Sequence, residues 1–141
     1  MKKHLTPITL FSLLGFFILI IFEVFVPSIR NLMGGSELFL VPFVISSLLG
    51  LVLIYSTIKE KREGLFKIFL LLTGFSIVGI FLSVFLHNAF YALGIITNDV
   101  FILNYLMQIF AAGFFIIGIF ICPLGFLVGL IGSITLFIKK R

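Results

Sequence analysis

The run Val100–Ile138, VFILNYLMQIFAAGFFIIGIFICPLGFLVGLIGSITLFI, decides the fold, because its 39 residues contain no charged side chain and no histidine. As straight α-helix it would measure about 58 Å at 1.5 Å per residue. The hydrocarbon core of a bilayer is roughly 30 Å thick and takes about 20 residues to cross. The surplus belongs either to a second span or to helix outside the membrane. No charge or turn cluster divides the run, only Cys122-Pro123, which favours a single span. Counting back from Lys139, Lys140 and Arg141 places that span at 113–138. Residues 100–112 are left as an outer-side extension, either interfacial or continuous with the last span, with Asn98 or Asp99 expected as its cap.

The rest of the chain follows the same physics. Of 141 residues, 62% are hydrophobic and 11% are charged, and mean hydropathy is +1.38. A soluble domain is nearer 45–50% apolar and about 25% charged, and a chain this short has no core large enough to hide the excess. A water-soluble enzyme and a disordered chain are both excluded, and the lipid bilayer is the expected partner. The net charge of +5 sits in short clusters between apolar runs, which points to membrane topology and anionic headgroups rather than nucleic acid. The single cysteine, Cys122, excludes an intramolecular disulfide and a cysteine-based zinc site. Phe occurs 20 times and Trp not at all, leaving Tyr55, Tyr91 and Tyr105 as interfacial anchors.

Three further apolar runs give spans at about 8–26, 38–58 and 65–87. The first opens with Thr6-Pro7, read as an N-cap and a proline at the first helical position, and closes at Pro27. Ser36-Glu37 opens the second, with Pro42 in its early turns. The third continues weakly through His87-Asn88-Ala89-Phe90-Tyr91-Ala92-Leu93 before Gly94 and a turn at Thr97-Asn98-Asp99. With four spans, Lys2, Lys3, Lys59, Lys61, Arg62, Lys67, Lys139, Lys140 and Arg141 share one side and only Arg30 takes the other. Cytoplasmic loops are enriched in Lys and Arg, so both termini and the loop 57–64 are expected in the cytoplasm of a multi-pass plasma-membrane protein. The loop's charges read as a solvated, orientation-setting stretch. The fold expected is an all-α membrane protein, a four-transmembrane-helix bundle with an outer helical extension before its last span.

In lipid, helices pair through small residues and interhelical hydrogen bonds. Every run carries such a stripe: Gly118, Cys122, Gly125, Gly129 and Ser133 in the last; Thr73, Ser76, Ser83, His87 and Tyr91 in the third; Pro42, Ser46, Gly50 and Thr57 in the second; Ser12, Gly15 and Glu23 in the first. Pro123 removes one backbone bond and should kink the last helix near residues 119–122. Ionisable groups inside a span are costly and usually face the bundle with a partner. Glu23 and His87 both fall toward the outer leaflet, so an outer polar cluster of Glu23, His87, Asn88, Tyr91 and Asp99 is the candidate site, with a proton-sensitive Glu23–His87 pair as its sharpest form. The alternative is an interfacial glutamate and a helix-capping histidine. No catalytic residue, cofactor or metal site is expected: His4 and His87 fall on opposite sides, and nucleophile triads, phosphate loops and paired acids are absent.

His87-Asn88-Ala89-Phe90-Tyr91-Ala92-Leu93, followed by Cys122-Pro123-Leu124-Gly125-Phe126-Leu127-Val128-Gly129, resembles small four-span prokaryotic membrane proteins of no assigned activity, over roughly the C-terminal third. That resemblance implies a fold and no chemistry. The small multidrug resistance transporters are similar in having four spans and a glutamate in the first. Here the glutamate lies late in its span, Trp is absent, and the charge bias selects one orientation, so their function does not carry over. The expected role is a non-enzymatic structural or interaction subunit, associating with a second copy or another membrane protein. A small proton-linked transporter or channel using Glu23 and His87 is the alternative.

Overall fold

The computed structural model describes residues 4–33 and 40–139. Helix α1 spans Leu5–Phe25, α2 Pro27–Met33, α3 Val41–Lys59, α4 Gly64–Ile96, α5 Phe101–Ile116 and α6 Cys122–Lys139, and a π-helical turn, Ile117–Ile121, joins α5 to α6. No strand occurs among the described residues. Four helical stretches are long and apolar enough to cross a membrane: Leu5–Glu23, Val41–Lys59, Gly64–Ile96 and Phe101–Lys139. The Ser36-Glu37 cap and the charges of Lys2, Lys3, Lys140 and Arg141 lie outside the described residues.

α4 is the hub. On one side it meets α3 where Gly50 and Gly74 oppose each other, and a methyl added at either would sit 3.1 Å from the other's carbonyl oxygen. On the other side the π-helical turn and α6 lay Gly118, Cys122, Gly125 and Gly129 against Ser83, Gly79, Ser76 and Thr73. α1 closes the bundle against α3 through Leu10, Leu13 and Leu53 and touches α6 through the Phe17–Phe126 and Phe11–Phe137 ring pairs. Phe66, Leu70, Ile77, Phe126 and Leu130 complete the core. Most remaining Leu, Ile and Phe side chains face outward. That arrangement costs little when the surroundings are hydrocarbon, since packing in lipid comes from close backbone approach rather than from hiding apolar area.

Several boundaries differ from the sequence expectation, each for a local reason. α1 begins at Leu5, with His4 at the N-cap position and no side-chain cap of its own. Thr6 and Pro7 lie inside the first turn, because the cap arrives from the α3–α4 loop. Val26 breaks the first run in extended conformation (ψ 108°), as the residue before a proline prefers. Pro27 then starts α2 rather than merely ending α1, using its fixed φ at a helical first position. Pro42 sits at the start of α3, where its missing N–H interrupts no ladder bond. Val100, not Asn98 or Asp99, occupies the N-cap of α5, without a side-chain cap bond. Pro123 is absorbed as a π-turn, in which the Cys122 N–H bonds the Ile117 carbonyl five residues back. Widening the turn ahead of a proline removes the clash with the carbonyl four residues earlier.

Residues 101–139 therefore form one continuous helical stretch, and its first part packs antiparallel on the end of α4. Phe90 stacks with Phe110 and Phe114, and Gly94 sits against Met107 and Gln108. The two form a hairpin extending beyond the level where α1 and α3 stop. Lys59, Lys61, Arg62, Lys67 and Lys139 gather at the opposite, basic end.

Candidate functional site

At the far end, a cleft of about 630 Å³ opens between α4 and α5, lined by His87, Tyr91, Gly94, Ile95, Asn98, Asn104, Gln108, Ala111, Ala112 and Phe115. His87 anchors it. Its Nδ1 lies 2.8 Å from the Ala111 carbonyl oxygen, which can only accept, so the Nδ1 proton is donated there. Nε2 of the neutral ring is left as an acceptor. Phe115 holds the imidazole at 5.2 Å between centroids and Tyr91 at 6.3 Å.

The three amides form a relay. Gln108 Nε2 donates to Asn104 Oδ1, and Asn104 Nδ2 donates to Asn98 Oδ1 at 2.7 Å. Asn104 and Gln108 are four residues apart on α5, so they share a face. The turn after α4 brings Asn98 to meet them. Spacing alone could have singled out Asn104 and Gln108 as two amides on one face of an otherwise apolar helix, yet neither was among the sequence candidates.

The sequence-derived cluster is divided in the structure. His87 and Tyr91 line the cleft. Asn88, exposed on the same helix, donates to its own helix at Val84 O, 2.8 Å away. Asp99 lies exposed in the turn and outside the cleft lining. Glu23 is elsewhere: it lines a separate cavity of about 440 Å³ with Gly15, Ile18, Leu19, Phe22 and Ile29. Its side chain is fully buried, and neither carboxylate oxygen has a hydrogen-bond partner among the described residues. Glu23 and His87 are therefore not a bonded pair. Their similar height along the helix axes placed them at one level, while the faces they occupy open onto different cavities.

Gly118, Gly129 and Ser133 are buried, and Cys122 and Gly125 are half-buried along the α4–α6 seam. Cys122 Sγ faces Gly79 across that seam, where a methyl added at Gly79 would stand 2.8 Å from it. No group of three His, Cys, Asp or Glu side chains that could hold a metal ion occurs among the described residues.

Glu60, read from sequence as part of a solvated charge run, forms the most connected polar site instead. Its Oε1 accepts from the Leu5 and Thr6 amides at 3.1 and 3.3 Å. Its Oε2 accepts from Thr6 Oγ1 at 2.8 Å and from Arg62 Nε and Nη2 at 3.1 and 2.7 Å. Desolvation pushes the Glu60 carboxyl upward, but the Thr6 and Arg62 bonds and the Arg62 charge outweigh it and hold the group below its ordinary range. Lys61 turns back with φ 50°, which aims residues 60 and 62 at the same point.

Four apolar helices wrapped around small-residue seams are the architecture of a multi-pass membrane protein. No family model, curated protein or solved structure matches the chain.

Proposed function

We propose that the protein is a non-enzymatic interaction subunit of the plasma membrane, with both termini cytoplasmic and the α4–α5 hairpin outward, which associates with a second copy or with another membrane protein. The observation that carries this reading is the surplus length of α4 and α5–α6, 33 and 39 residues, against the roughly 20 that cross a bilayer. The surplus is apolar on its outer surface: Ile96 is 75% exposed, Phe101 82% and Ile102 79%. A contiguous apolar surface outside the hydrocarbon core marks an interaction site. The positive-charge bias supports the orientation.

A single-cysteine chain, Cys122→Ser with Ile102→Cys, tests it in native membranes. The expected result is a disulfide or bismaleimide adduct to a second copy or to a discrete partner, lost when Phe101→Ser is added. A monomeric species with no adduct at any cross-linker length overturns the interaction reading.

One observation favours a second reading, proton-linked transport: a buried carboxylate, Glu23, without a hydrogen-bond partner among the described residues. In proteoliposomes that reading requires a pH-driven flux abolished by Glu23→Gln. Equal flux in parent and variant removes it.

A further inference from the structure

The lining of the far-end cleft selects a class of ligand. It contains an imidazole, three primary amides and a phenol, and no Lys, Arg, Asp or Glu. An anion would find no cation there and a cation no carboxylate, and an unmatched charge in a partly desolvated cleft is unfavourable. A purely apolar ligand would strand the amides. Because Gly94, Ile95, Ala111, Ala112 and Phe115 line the rest of the cleft, what fits is a neutral molecule with an apolar face beside groups that both donate and accept.

We propose that this cleft binds a saccharide, a neutral hydroxyl-rich group held by the amides of Asn98 and Gln108 and by His87 Nε2, with a sugar face laid against Tyr91. Each primary amide presents a donor and an acceptor side by side, the arrangement that two neighbouring hydroxyls complement. The relay leaves its two ends open. Within the described residues the Asn98 Nδ2 hydrogens are not donated and Gln108 Oε1 accepts nothing, so donors stand at one end of the row and an acceptor at the other. Because His87 spends its Nδ1 proton on Ala111, its remaining nitrogen adds an acceptor for a hydroxyl. Tyr91, 59% exposed, offers an electron-rich ring face to the polarised C–H groups of a sugar ring. The volume of about 630 Å³ lies within the roughly 300–1,000 Å³ of small-molecule sites.

The same relay could be read as interhelical glue, but glue needs no open ends, and the bond that ties α4 to α5 is already supplied by His87 and Ala111. Two sources share the chemistry: the headgroup of a glycolipid in the adjoining leaflet, and a free saccharide.

The full-length chain, prepared in a detergent without a sugar headgroup, is placed in phosphatidylglycerol nanodiscs. Glucosyl diacylglycerol is incorporated in one arm and free maltose is added in the other, and the side-chain amide and imidazole nitrogen resonances are followed by NMR. Saturable shifts of Asn98, Gln108 and His87 are expected in at least one arm. Shifts with the glycolipid alone assign the site to a headgroup, and shifts in both arms assign it to the saccharide itself.

Gln108→Leu and Asn98→Leu replace exposed side chains, and each should weaken binding about tenfold, the loss of one or two hydrogen bonds. Asn88→Leu, on the same helix but outside the cleft, should bind as the parent does and shows that the fold tolerates such changes. The proposal is overturned if neither saccharide shifts these resonances. It is equally overturned if Gln108→Leu binds as tightly as the parent, or if the glucosyl lipid gives no more shift than added phosphatidylglycerol and maltose gives none; shifts with maltose alone assign the site to a free saccharide.

Discussion

Gly129→Ala should detach the last helix from the hub. A methyl built at Gly129 would stand 2.7 Å from the Thr73 amide nitrogen and 3.0 Å from the Phe69 carbonyl oxygen. Both are backbone atoms of α4 and cannot rotate away, so the helices must part. Separation loosens more than one contact, because Gly125 meets Ser76, Gly118 meets Ser83 and Gly132 meets the Phe69 ring along the same seam. In lipid, apolar area regained elsewhere does not offset the loss, since close packing is itself the source of helix association. A penalty of about 1–3 kcal/mol is expected for forced overpacking, enough to lower the unfolding midpoint measurably in micelles or bicelles. The matched controls are Gly15→Ala and Gly113→Ala, where an added methyl meets nothing within 4 Å. Those two should be neutral or slightly stabilising, because alanine outranks glycine in a helix. Were Gly129→Ala as stable as Gly113→Ala, the close approach of α6 to α4 would be wrong.

That seam was the most legible part of the molecule, and the reason is geometric. Gly118, Cys122, Gly125, Gly129 and Ser133 recur at steps of three and four, which places them on one face whatever the partner. Hydropathy likewise locates helices without knowing their neighbours. The candidate site was less legible because sequence supplies height along a helix but not azimuth relative to the other helices. Glu23 and His87 share a level and face different cavities for that reason. Asn98 reaches Asn104 only because the chain turns sharply after Ile96, a contact that no periodicity encodes. The inner cap shows the same limit. Nothing in the order Lys59, Glu60, Lys61, Arg62, Glu63 distinguishes Glu60 from Glu63, whereas the left-handed backbone at Lys61 turns only one of them onto the start of α1. Pro123 was legible as a defect in the ladder, but not the way the chain absorbs it, since a kink and a π-turn both relieve the same clash.

Glu60→Gln should destabilise the bundle at neutral pH and remove most of its sensitivity to acid. The parent carboxylate receives the Leu5 and Thr6 amides, the Thr6 hydroxyl and two Arg62 nitrogens. It thus satisfies orphan donors at the N-terminus of α1 while tying that helix to the α3–α4 turn. A negative charge is favoured there by the helix dipole. Bonds to a charged group contribute about 1.5–3 kcal/mol, and an amide at this position keeps one acceptor oxygen while facing Arg62 with a poor partner. The pH dependence follows from the direction of the shift. The folded-state group is held below its ordinary value near 4.5, so its contribution is fully present above that pH. It fades as the pH falls through the lower folded-state value, where protonation removes the negative charge and turns one acceptor lone pair into an O–H donor. Stability measured from pH 7 downward should therefore fall below about pH 4.5 in the parent and run flatter in Glu60→Gln. Thr6→Val removes the hydroxyl donor but keeps the amide bond, so it should cost less. Combining it with Glu60→Gln should be less than additive, because the two changes delete one shared bond. Strict additivity, or an acid profile unchanged by Glu60→Gln, would leave the cap without its energetic role and assign the acid sensitivity to other groups.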